Sequence, residues 1–255
     1  MMRPSPARVK RVQLESGLVV SSRWPLIAVV ILVPLVCWAW IVALSRDMHG
    51  AMTGASAWMM TPVWDGRHLF LLWAMWAVMM TGMMLPSAAP MIVLGRGGRR
   101  PYFLALGYLL AWAAFSVGAT ALQWLLTRSF LVTPMMELSS ARAGALVLVV
   151  AGVYQWTPLK RACLTTCQSP MAFLTQRWRS GSSGAFRMGI EHGASCVGCC
   201  WALMLLLFAG GVMNLTVIAA LTVFVAFEKL APLGVWGARV SGVVLLALAV
   251  LSFRF

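Results

Sequence analysis

Long apolar runs separated by short polar segments dominate this chain. The runs extend from Pro25 to Leu44, Leu69 to Leu94, Tyr102 to Leu126, Ala143 to Trp156, Ala185 to Ala209, Val212 to Phe227 and Val235 to Phe253. About 20 apolar residues in helical form cross a hydrocarbon layer of roughly 30 Å. Within that layer a helix satisfies its own backbone hydrogen bonds. The pattern therefore predicts an all-α fold, a polytopic transmembrane helical bundle of about seven spans. The fourth and sixth runs are short and are expected to extend into their flanks. Gly210-Gly211 marks a tight hairpin between the fifth and sixth. Residues 1–24 read as a cytoplasmic basic tail and residues 25–255 as a single transmembrane domain. No internal repeat, low-complexity tract or glycine-rich phosphate loop interrupts this organisation.

Composition sharpens the reading. The chain of 255 residues is 61% hydrophobic and only 10% charged, against about 25% charged in soluble proteins. Its formal net charge of +14 does not point to nucleic acid, because the basic residues lie in short clusters between apolar runs. They read instead as topology signals. Most of the 20 Lys and Arg residues fall on one side of the spans, in the N-terminal tail, at Arg96, Arg99 and Arg100, from Lys160 to Arg187, and at Lys229 and Arg239. Arg46, Arg67, Arg128, Arg142 and Arg254 fall on the other. The N-terminus is then expected in the cytoplasm and the C-terminus outside. Arg3, Arg8, Lys10 and Arg11 before the first run imitate a signal peptide, but that run is longer than a typical signal core and reads as an uncleaved span.

The candidate chemistry sits in the fifth span, "GIEHGASCVGCCWALMLLLF". At 100° per residue, His192, Cys196 and Cys199 lie within about 60° of one another, and Cys200 and Met204 continue that side. Thiolate, imidazole and thioether are donors for soft or borderline metals, with Cu(I) favoured by sulfur and zinc(II) open to a Cys and His set. Two other readings stand beside this one. Free cysteine also serves as a small buried apolar residue, and Cys196-Val197-Gly198-Cys199 is formally a C-x-x-C suited to thiol-disulfide exchange. Glu191, near the cytoplasmic end, needs compensation from a bound cation, Lys160, Arg161 or Lys229. Glu228-Lys229 reads as a local ion pair or an interface anchor.

Cys163 and Cys167, in "KRACLTTCQSP", share a helical face on the predicted cytoplasmic side, where a reducing environment favours free thiols. They serve either as ligands or as structural residues. The lone Cys37 reads as packing. In the second span Met79, Met80, Met83 and Met84 belong to a methionine-rich stretch that either fills an irregular core or offers weak Cu(I) sites. Pro86 and Pro90 are expected to kink or break that helix just beyond. Asp47, His49, Asp65 and His68 form a possible divalent entry or exit site on the outer side, or ordinary loop polar groups.

The segments "MWAVMMTGMMLPSAAPM", "KRACLTTCQSP", "EHGASCVGCCWALM" and "FEKLAP", in this order, resemble a bacterial family described as predicted metal-binding integral membrane proteins. The resemblance runs from about Leu69 to the C-terminus. It implies a multi-pass inner-membrane protein with a metal site at Cys163, Cys167, His192, Cys196, Cys199 and Cys200, and it supplies no activity. The leading expectation is a binding protein without a catalytic site. It would hold copper as Cu(I), with zinc as the other candidate, and move it across the membrane or pass it to a partner. Its expected partners are the lipid bilayer and a soluble metallochaperone or membrane protein. A membrane thiol-disulfide oxidoreductase using Cys196 and Cys199, and a structural subunit of a membrane complex, are the alternatives.

Overall fold

The computed structural model describes residues 24–50, 52, 55–59, 64–95, 98–133, 136–231 and 234–253. The basic tail expected at 1–24 lies, apart from Trp24, outside the described residues, as do Arg96 and Arg254. Eleven helices occur among the described residues: α1 (Trp24–Met48), α2 (Ala55–Met59), α3 (Gly66–Leu94), α4 (Arg100–Arg128), α5 (Ala141–Tyr154), α6 (Pro158–Gln168), α7 (Pro170–Gln176), α8 (Gly181–Met204), α9 (Leu206–Gly210), α10 (Leu215–Leu230) and α11 (Gly234–Ser252). No strand is present among them, only an isolated bridge between Val132 and Leu138. The fold class is all-helical.

Local chemistry accounts for several helix starts. The Asp65 carboxylate accepts from the His68 amide at 2.8 Å and caps α3. Thr157 caps α6 by accepting from the Lys160 amide at 3.2 Å, with Pro158 at the first helical position. Asn214 caps α10, and Gly211 turns the chain before it at φ +92°, a conformation that glycine adopts without steric cost. The hairpin expected at Gly210-Gly211 is there.

Four helical segments are long and apolar enough to cross a membrane: α1, α3, α4, and the 30-residue stretch Gly181–Gly210 that joins α8 to α9. The fourth and seventh apolar runs form shorter helices, over Ala141–Tyr154 and Trp236–Ser252. The sixth run becomes α10, which starts at Leu215 and continues to Leu230, past the expected end at Phe227. This extension places Glu228 and Lys229 inside a helix. Pro86 and Pro90 do not break α3, which runs continuously from Gly66 to Leu94. In a tightly packed helix, neighbouring groups offset the donors that proline lacks.

Two close contacts position the centre of the bundle. Helices α4 and α8 approach at Gly107, Gly189 and Gly193. A Cβ at Gly189 would stand 2.1 Å from the Leu104 carbonyl oxygen, and one at Gly107 2.1 Å from that of Phe186. Only glycine permits this separation, the small-residue packing by which helices in apolar surroundings come together. On its other side α3 lies against α1, where a Cβ on Gly82 would meet the Cys37 Cβ at 3.1 Å. Cys37 is thus a packing residue. The buried methionines Met75, Met79, Met80, Met83, Met84 and Met91 of α3 form much of the core.

Candidate metal centre

Helix α8 buries Cys196, Cys199 and Cys200. Their spacing follows from the helix itself: the Cys199 and Cys200 thiols donate back to the Cys196 carbonyl at 3.1 and 2.9 Å. All six cysteines are free. The α6 helix adds sulfur from a second direction, with Cys167 Sγ 4.0 Å from Cys199 Sγ. Cys163 lies over Gly198, where a Cβ would come within 2.8 Å of its sulfur. A glycine at 198 therefore leaves the volume that the Cys163 thiol fills. Burial pushes the Cys163 thiol above its ordinary range, so it is held protonated in the absence of a metal. The two cysteine motifs, with the whole of α7 and the first half of α8 between them, meet in space.

The remaining contacts were not legible from spacing. The Lys229 ammonium is buried and donates to Cys196 Sγ at 2.8 Å. It also lies 4.0 Å from Cys200 Sγ, 3.8 Å from Met84 Sδ and 3.4 Å from Ser87 Oγ. Tyr108 of α4 completes this side, its hydroxyl 3.0 Å from both Cys196 Sγ and the Met84 carbonyl oxygen. Glu228-Lys229 is not a local ion pair. Glu228 instead accepts from Lys160 Nζ at 2.6 Å, with both side chains buried, and the Glu228 backbone carbonyl accepts from Gln168 at 2.8 Å. Adjacent residues on a helix point about 100° apart, so one faces α6 and the other the thiols. In the sequence Lys229 stood out as a charge at the end of an apolar run, inside the FEKLAP segment, without any indication that it meets the thiols.

The other site residues expected from sequence divide. His192 is buried against Tyr108 and Phe173, with ring centroids 6.0 and 5.1 Å away. Its Nδ1 has no hydrogen-bond partner among the described residues. Glu191 turns away from the thiols and pairs with Arg177 at 3.3 Å and Arg179 at 3.0 Å, both largely exposed. Its compensation comes from these arginines, because Lys160 and Lys229 are engaged elsewhere. Met79, Met80, Met83 and Met84 are all fully buried, and Met84 reaches the thiols through their shared neighbour Lys229. Of the residues expected to form an ion site on the outer side or ordinary loop groups, the Asp65 carboxylate caps α3, His68 Nδ1 contacts the Trp58 carbonyl at 2.8 Å, and His49 Nδ1 contacts that of Ser45 at 2.8 Å.

Among the described residues, no three His, Cys, Asp or Glu side chains form a preformed metal cage. A cationic group instead stands among the sulfurs, as the Lys229 contacts record. The sulfurs that α6 and α8 bring together, with the Met84 thioether nearby, are donors of the kind that soft metal ions prefer. No curated protein and no solved structure matches the chain. A family model named PpoB2, described as copper chaperone, matches residues 73–252 and so covers α6, α8 and α10. The chain belongs to the PpoB2 family of copper chaperones.

Proposed function

We propose that this protein is a multi-pass membrane protein that binds Cu(I) through the thiols of α8 and α6 and hands it to a partner protein. The observation that carries the reading is the approach of Cys167 to Cys199 across two helices, at 4.0 Å, next to Cys196 and Cys200. Sulfur donors from separate helices allow stepwise exchange, in which one thiolate leaves while another still holds the ion. Cys163 and Cys167 are only partly buried, whereas the α8 thiols are deeply buried. Ions would therefore enter or leave at the α6 edge and rest on α8. Four helical segments of spanning length support placement in a bilayer, with the shorter helices completing about seven crossings. The clustering of Lys and Arg supports a cytoplasmic N-terminus and an α6 edge that faces the cytoplasm. Zinc is the less favoured ligand, and transport across the bilayer remains secondary to delivery in this reading.

The test is copper stoichiometry of detergent-purified protein, for wild type and for the Cys196→Ser/Cys199→Ser double variant. A neutral hydroxyl is a poor substitute for a soft thiolate. Wild type should retain Cu(I), protect its thiols from alkylation when loaded, and lose both properties in the variant. Equal copper content in a folded double variant would end the reading. A disulfide that forms on mild oxidation and is required for activity toward a dithiol substrate would favour the oxidoreductase instead.

A further inference from the structure

We propose that Lys229 is the counter-cation of the thiol centre and makes it select a monovalent metal ion over a divalent one; this rests on the copper-binding reading above. Two thiolates holding Cu(I) carry a net charge of −1, and an uncompensated charge in an apolar interior is strongly disfavoured. The Lys229 ammonium, within 2.8 Å of Cys196 Sγ and 4.0 Å of Cys200 Sγ, brings that sum to zero. A divalent ion on the same two thiolates is already neutral, so the ammonium would then be a buried charge in excess. The carboxylates of α8 and α10 are already engaged. Glu228 is paired with Lys160, and Glu191 with Arg177 and Arg179.

The geometry also gives the ammonium somewhere to go. Lys229 donates to the Cys196 sulfur that a metal would use. Ser87 Oγ at 3.4 Å and Met84 Sδ at 3.8 Å are neutral acceptors on α3. When Cu(I) takes the Cys196 sulfur, Nζ shifts toward these groups and stays close enough to balance the complex. Methionine at 84 and serine at 87 thereby gain a role that does not require either of them to ligate metal. Tyr108 holds its hydroxyl against the Met84 carbonyl and Cys196 on the same side.

The experiment titrates full-length protein in detergent with Cu(I) against a chromophoric Cu(I) chelator, and separately with Cd(II), read by its thiolate charge-transfer absorbance. Wild type is compared with Lys229→Met and Lys229→Arg. Removing the charge should weaken Cu(I) and strengthen Cd(II) binding, shifting the preference by about tenfold or more, as expected for one unit charge at contact distance. Lys229→Arg should keep the wild-type preference. Should Lys229→Met fail to fold, Lys229→Gln provides the same neutral comparison. An unchanged preference in a neutral variant, or a Lys229→Arg variant that behaves like the neutral one, overturns the inference alone. Wild type that takes up no Cu(I) on its cysteines overturns the copper reading and the inference with it.

Discussion

The buried pair Lys160–Glu228 should behave as a strut whose halves cannot be removed one at a time. Its ions are 2.6 Å apart and nearly inaccessible, with side-chain exposures of 0% and 3%. Their attraction is about 6 kcal/mol at an effective dielectric of about 20. Desolvation costs several kcal/mol per ion, so the net worth of the pair is small. The Lys160 bond goes to Glu228 Oε2, and Oε1 has no hydrogen-bond partner among the described residues. Lys160→Met therefore leaves a bare buried carboxylate and should cost about 3–5 kcal/mol. Lys160→Met combined with Glu228→Leu removes both charges and should recover most of that loss. The assay is reversible unfolding in mixed micelles, with wild type, both single variants and the double variant forming a thermodynamic cycle. Because the Gln168 bond goes to the Glu228 backbone, the double variant should also keep α10 docked on α6 and preserve copper binding. A single variant within about 1 kcal/mol of wild type, or a double variant as unstable as the two singles combined, would refute the reasoning.

Two further outcomes are expected. Replacing Met79, Met80, Met83 and Met84 together by Leu should leave folding nearly intact, since Leu is close to Met in volume and apolarity, and should leave tight Cu(I) binding on the thiols in place. Transfer of copper to an acceptor chelator should slow if these thioethers relay the ion, and wild-type transfer rates at wild-type abundance would eliminate the relay. Because burial raises the Cys163 thiol above its ordinary range, its alkylation in the copper-free protein should be slower at neutral pH than that of an exposed cysteine. The rate should still be climbing where the exposed cysteine has reached its plateau, and a flat profile through the alkaline range would contradict the burial seen here.

Much of the site was legible because it is local. A rise and rotation fixed by helix geometry place Cys196, Cys199 and Cys200 on one side of α8 whatever surrounds it. Likewise, run length and apolarity alone identify the four long helices. The turn at Gly210-Gly211 follows from the freedom of glycine to adopt a positive φ. Each of these properties is settled within a few residues of chain.

The partners were decided elsewhere. Glu228 and Lys229 are neighbours in sequence, and a local ion pair was the natural expectation. The rotation of α10 sends one to Lys160 on α6 and the other into the thiols. Glu191 was expected to need Lys160, Arg161 or Lys229, yet it finds Arg177 and Arg179 where the chain enters α8. Pro86 and Pro90 were expected to kink or break α3, and the helix continues past both to Leu94. Apolar pattern determines that a helix forms and which residues share its face. It does not determine the rotation of that helix about its axis against its neighbours, and a change of one residue in register turns each face by about 100°. Between α4 and α8 that rotation is set by backbone contacts at Gly107, Gly189 and Gly193, where the absence of side chains lets the two helices close upon each other and carries Tyr108 to Cys196.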